Sequence, residues 1–196
     1  MPVIQCDPRQ ARRRLEAADV TVADGNTQHE LWRADHAGAT AVAYDEKVVV
    51  QGAKTGRLEG VLRDGDGRVS VYVDGASRGN PGPAAIGWVL VTDGGVLTEG
   101  GRRIGATTNN RAEYRALVHA VEVASESGFG TVDIHSDSEL VVRQVTGEWA
   151  VNEPALRELR VRARELLEEF DDWSLSHVPR ELNERADKLA NEAFDG

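Results

Sequence analysis

The sequence predicts an α/β protein: a five-stranded mixed sheet flanked by helices, preceded by a small α+β domain. Three observations predict it. From residue 69 onward, apolar stretches of strand and helix length follow the order βββαβααβα, a hairpin meander extended by parallel strands. Residues 1–68 hold a separate run of one helix, three short strands and one short helix. Between them "LRDGDGR", Leu62 to Arg68, concentrates Asp and Gly and reads as a linker, with domains expected at 1–66 and 67–196. The charge divides at the same place. The front segment is nearly balanced, and the rest carries almost all of the net charge of -10.

Composition narrows the class. Apolar residues make up 40% of the 196 and charged residues 29%, ordinary values for a soluble globular chain. No apolar run approaches the roughly 18 residues that span a bilayer, and no signal-peptide core opens the chain. Cys6 is the only cysteine, so an internal disulfide is excluded and a reducing cytoplasm is the expected location. Lysine occurs only as Lys47, Lys54 and Lys188; every other basic residue is arginine. That pattern fits either a salt-loving organism, where screening removes self-repulsion, or an acidic protein from a GC-rich genome. Charge alone argues against a nucleic-acid partner. The objection weakens in high salt, where counterion release contributes less to binding.

In the front segment "PRQARRRLEAAD" reads as a helix clustering Arg9, Arg12, Arg13 and Arg14. "HELWRAD", "ATAVAYD" and "KVVVQG" read as strands, and "AKTGRLEGVLRD" contains a short helix. In the back segment Val69, Val71 and Val73 alternate with Ser70, Tyr72 and Asp74, a strand expected to end at that aspartate. Strands follow over 84–92 and 96–104, joined by a turn at Asp93-Gly94-Gly95. A helix over 109–125 stripes Leu117, Val118, Val121 and Ala124. "TVDIHSD" is the fourth strand, "SELVVRQV" a helix, and "PALRELRVRARELLEEF" another with Pro154 at its start. "WSLSHV" is the fifth strand and "ELNERADKLANEAF" the closing helix.

Four carboxylates fall at element ends: Asp74 on the first strand, Glu113 early in the first helix, Asp137 after the fourth strand, and Asp187 in the last helix. Each has an ordinary use. Asp-Gly starts turns, Glu113 favours a helix N-terminus, Asp137 can cap a helix, and Asp187 can flank an apolar stripe. Together they suit another purpose. Magnesium and manganese are hard cations that take oxygen anions, and two ions about 4 Å apart can serve phosphodiester hydrolysis. Strand ends and first helical turns hold such ligands rigidly at one edge of a sheet.

"YVDGASRGNPGPAAIGWVL", "TTNNRAEYRAL", "HSDSELVVRQVTGEW" and "HVPRELNERADKLAN", in this order, resemble type 1 ribonuclease H, nearest its compact archaeal and bacterial branch. The likeness covers nearly all of residues 69–196. It implies the ribonuclease H fold and an endonuclease that cuts the RNA strand of RNA–DNA hybrids, leaving 5′-phosphate and 3′-hydroxyl ends. It also implies two Mg2+ or Mn2+ ions on Asp74, Glu113, Asp137 and Asp187. Asn109 and Asn110 match minor-groove contacts, where amides can pair with the 2′-hydroxyl. Thr108 and Asn152 match DNA-phosphate contacts, while Gly75 and Ala76 leave room for the RNA backbone. The expected partner is a hybrid, with double-stranded RNA as a second duplex class, bound by a monomer. In the front segment "LWRADHAGATAVAYDEKVVVQG" resembles the substrate-binding domain of type 3 ribonucleases H, where Trp32, Arg33, Tyr44 and Lys47 could meet a duplex.

The pattern departs from the family in two places. No flexible histidine loop precedes the last helix: His177 falls within the fifth strand, which makes it a bystander, and Arg180 is left to handle phosphate. The basic handle of some bacterial members is missing, so the front segment is the expected source of grip on the hybrid. His119 and His135 are expected to pack. The competing class is a non-catalytic module binding hybrid or double-stranded RNA.

Overall fold

The computed structural model describes residues 2–63 and 67–195. Of the expected linker Leu62–Arg68, residues 64–66 lie outside the described residues, as does one side of the expected boundary at 66/67; Leu62 and Arg63 instead close a helix and Arg68 opens a strand. On either side lie two five-stranded sheets with separate apolar cores.

The front sheet joins β1 (Val3–Gln5), β2 (Val22–Asp24), β3 (Trp32–His36), β4 (Ala39–Tyr44) and β5 (Lys47–Gly52), all antiparallel, in the order β1-β5-β4-β3-β2. Three of these strands are legible in the sequence. β1 and β2, three residues each, are too short for an alternation to register. Helices α1 (Pro8–Ala17) and α2 (Gly56–Arg63) cover one face, packing Leu15, Leu58, Val61 and Leu62 on Trp32, Ala41, Ala43, Val48 and Val50. The period of two sends Val42, Tyr44, Lys47, Val49 and Gln51 to the other face, where they line a shallow groove.

The back sheet contains β6 (Arg68–Ser77), β7 (Gly82–Thr92), β8 (Gly95–Thr107), β9 (Thr131–Ser136) and β10 (Asp172–His177) in the order β10-β9-β6-β7-β8. β6, β7 and β8 form the antiparallel meander, and β9 and β10 add in parallel. The meander, the parallel additions and the helix positions agree with the sequence expectation. Helices α3 (Asn109–Ser127), α4 (Glu139–Thr146) and α5 (Pro154–Leu167) bury Leu117, Val121, Val141, Val145 and Leu167 with Val69, Val71, Val73 and Ile86. Helix α6 (Glu184–Glu192) lies on the opposite face, against Gly87 of β7.

Two local expectations need correcting. Asp74 does not end its strand: β6 continues to Ser77, with Asp74 opposite Gly87 and Gly75 opposite Ile86. The glycine keeps the backbone in the ladder because a side chain there would overlap the backbone of Ala112 and Glu113 in α3. The closing helix starts at Glu184 instead of Glu181. Arg180–Leu182 wind a 3-10 turn, and Asn183 (φ -113°, ψ 7°) breaks it from α6.

The front unit is seated on the far end of the back sheet. Gly56 and Gly60 of α2 lie against Ser127 and Phe129, Arg57 pairs with Asp171, and Gly130 N–H donates to Gly67 O (3.2 Å). These contacts sit at the entry of β9 and β10 and the exit of α3. Asp74 and Asp137 lie at the other end, about 20 Å along a six-residue strand.

Gly87 is where α6 comes closest to the sheet, since an added Cβ would meet Ala186 O and Ala190 N. Gly87→Ala is expected to push α6 outward and cost about 1–3 kcal/mol of stability. Denaturant unfolding checks it; an unchanged midpoint would mean that α6 is not tightly held there.

Candidate active site

Asp74 from β6, Glu113 from the second turn of α3 and Asp137 from the residue after β9 meet at one end of the sheet. Each offers an oxygen within 4.8 Å of the others. Asp74 and Glu113 are only 5% and 8% exposed. Local structure aims them. Because Gly75 lets α3 approach β6, Gly75 N–H donates to Glu113 Oε2 at 3.0 Å. Thr108 caps α3, its Oγ1 accepting from Arg111 N–H (3.4 Å), which fixes the turn that carries Glu113.

The fourth carboxylate stands apart. Asp187 Oδ1 accepts from Arg180 Nη2 at 2.7 Å and is not among the three that converge. Its charge still reaches them. Burial first, then the neighbouring charges of Asp137 and Asp187, pushes the Asp74 carboxyl up to about 7, against a smaller opposing pull from Arg180. Burial, Asp74 and Asp137 hold Glu113 well above the usual carboxylate range. Arg180, beside Asp187 and near Asp74 and Asp137, is the local cation. Three crowded oxygen donors, two of them buried, suit a hard divalent ion far better than they suit one another.

The sequence predicts Asn183 inside a helix, with no part in the site. It is 1% exposed, and its Nδ2 donates both to Val73 O (2.8 Å) and to Asp137 Oδ1 (2.9 Å). One amide thus ties β6, the β9 exit and the start of α6 together. Its Oδ1 is buried without a partner among the described residues. An Asn directly before an apolar helix is a start signal that could have flagged it.

The other expected residues fall as follows. Asn109 and Asn110 are exposed on the first turn of α3, and Asn109 N–H donates to Asn80 Oδ1 (3.2 Å). Asn152 is exposed in the 147–153 loop, which Glu153 fastens to α3 by accepting from Arg111 Nε (2.7 Å). Ala76 is half-buried in β6. The room left by Gly75 is not open, since α3 fills it. His177 ends β10, with Nε2 3.2 Å from the carbonyl oxygen of Asp137. His119 meets Trp88 edge-on and His135 stacks on Tyr72, as packing residues do.

Unfolded, the Asp74 carboxyl has its ordinary value of 3.8; folded, it is pushed up to about 7. Between these values the folded chain keeps a proton that the unfolded chain releases, so stability falls as pH rises through the window and levels off above it. Without divalent metal, the thermal midpoint is expected to drop over that range. Asp74→Asn should flatten the drop, and saturating Mg2+ should reduce it. An equal slope in Asp74→Asn would show that Asp74 is not its source.

Residues 72–193 match the reverse transcriptase-like family model. The ribonuclease HI of Halobacterium salinarum is 57% identical over 197 residues, covering 100% of this chain and 99% of that protein. The crystal structure of RNase H1 from the same halophilic archaeon superposes with a TM-score of 0.64 at 63% identity, over 65% of this chain and 98% of that one. LC11-RNase H1, solved in complex with an RNA/DNA hybrid, gives a TM-score of 0.62 at 43% identity, over 65% of this chain and 96% of that one. With a full-length relative at this identity and the same fold beneath the carboxylate cluster, the chain belongs to the ribonuclease H family.

Proposed function

We propose that this chain is a metal-dependent endoribonuclease that hydrolyses the RNA strand of RNA–DNA hybrids, leaving 5′-phosphate and 3′-hydroxyl ends. The observation that carries the reading is the convergence of Asp74, Glu113 and Asp137 from three separate elements within 4.8 Å. In this reading those three and Asp187 hold two Mg2+ or Mn2+ ions. Such ions supply Lewis-acid activation of water and stabilise charge on the leaving oxygen.

The chain's own groups do the rest. Asn183 keeps Asp137 turned inward, and Gly75 N–H keeps Glu113 in place. Asp187 joins the cluster by leaving Arg180, whose side chain is 71% exposed and free to turn into solvent. The freed guanidinium then faces the phosphate. Asn109 and Asn110 read the 2′-hydroxyl in the minor groove, while Thr108 and Asn152 meet DNA phosphates. Ala76 borders the RNA strand. Double-stranded RNA, which also presents 2′-hydroxyls, is the substrate to compare. All four carboxylates come from one chain, so a monomer suffices for the chemistry, and the single Cys6 suits a reducing cytoplasm.

Residues 1–66 are a second unit in this reading, adding nucleic-acid affinity through the open sheet face with Arg33, Tyr44 and Lys47; Trp32, expected beside them, is instead buried in the front core with its Nε1 donating to Pro8 O. Being seated far from the carboxylates, the unit acts on binding and not on the chemical step.

Asp137→Asn is expected to abolish cleavage of a labelled hybrid while leaving hybrid binding largely intact. Wild-type chain that leaves the hybrid uncut with Mg2+ or Mn2+ at every salt concentration would overturn the enzyme reading. Deleting residues 1–65 is expected to raise KM more than it lowers kcat; an unchanged KM would remove the front unit from substrate binding.

A further inference from the structure

The chain carries a net charge of -10, yet its proposed substrate is a polyanion. Most arginines near the catalytic end are already committed to carboxylates: Arg111 to Glu153, Arg143 to Glu139 and Glu148, Arg180 to Asp187, and Arg185 to Glu99. Two that face one groove are not. Arg102 of β8 and Arg115 of α3 rim a groove between the strand and the helix, with Ile104, Val118 and His119 among its lining. Both are exposed. Arg115 donates from Nη1 to Ile104 O (3.2 Å), a contact that orients the guanidinium without neutralising it. Arg103, next along β8, turns to the opposite face, where its Nε donates to Ala193 O (3.1 Å) at the end of α6. The Arg102 side chain makes no hydrogen bond or ion pair among the described residues. The one carboxylate in the lining, Glu122, is already paired with Arg162 at 3.0 Å.

The groove adjoins the elements that carry the candidate site. β8 runs through Thr107 directly into Thr108, the cap of α3, and Arg115 lies six residues after Asn109, about 9 Å along the helix. Each strand of a duplex carries one phosphate per about 3.4 Å of axis, so about 10 Å beyond the Thr108 contact brings roughly three phosphates of one backbone past this surface. Arginine suits the task, because its planar fork pairs with two phosphate oxygens and is more weakly hydrated than lysine.

We propose that Arg102 and Arg115 form a phosphate track that grips the backbone of the nucleic-acid duplex beyond the cleavage site, adding positive charge to an otherwise acidic catalytic unit. This rests on the hybrid-cleaving reading above.

The test measures hybrid cleavage by the full chain and, in the Asp137→Asn background, hybrid binding by fluorescence anisotropy across a salt titration. Arg102→Gln and Arg115→Gln, both at exposed positions, are expected to raise KM several-fold with kcat held. Each should lower the slope of log affinity against log salt by about one. Arg63→Gln, which removes the same charge from α2, on the covered side of the front sheet and away from its open face, serves as the comparison. Unchanged KM and slope in the groove variants, with wild type cutting the hybrid, overturns the track alone. Equal losses in Arg63→Gln also overturn it, as a net-charge effect. Wild type that fails to cut any hybrid overturns the underlying reading instead.

Discussion

Mutual repulsion among buried carboxylates is the constraint around which the back half of this molecule is organised. Asp74, Glu113 and Asp137 are held closer than unscreened negative charges would choose, two of them almost out of water. The cluster does not stabilise the fold at neutral pH; the fold stabilises the cluster. Burial is what lifts Asp74 and Glu113 above the ordinary carboxylate range, and the neighbouring charges add to it. The stability comes from elsewhere, from Val69, Val71, Val73, Ile86, Leu117 and Val121 beneath α3, which are fully buried.

Close backbone approach converts that packing into geometry. Gly75 admits α3 and Gly87 admits α6, on opposite faces of adjacent strands. A side chain at either would separate a carboxylate-bearing helix from the sheet. Asn183 completes the frame from the polar side, because its one Nδ2 group serves a β6 carbonyl and the Asp137 carboxylate together. The positions that matter to the chemistry are therefore supported by residues with no chemistry of their own.

Much of this was legible in the sequence, for physical reasons. The alternation at Val69, Val71 and Val73 and the stripe in α3 are long and strongly periodic, so the elements and their order could be read directly. What escaped were features set by tertiary contact. Asp74-Gly75 looks like a turn, yet β6 runs on because helix packing and not local preference decides Gly75. β1 and β2 exist only by pairing with longer strands. Asn183 resembled an ordinary helical residue until its two acceptors appeared. Asp187 could be placed on its helix, but its partnership with Arg180 depends on the 3-10 turn, which no periodicity announces.

The seating of the front unit has a consequence of its own. Gly67 is bonded to Gly130, α2 rests on Ser127 and Phe129, and Arg57 clasps Asp171, so the two sheets are fastened on both sides of the connecting residues. The open face with Tyr44 and Lys47 thus stands at a set interval from the carboxylates. For any polymer that touches both, the molecule is a ruler with its two marks cut at a fixed distance.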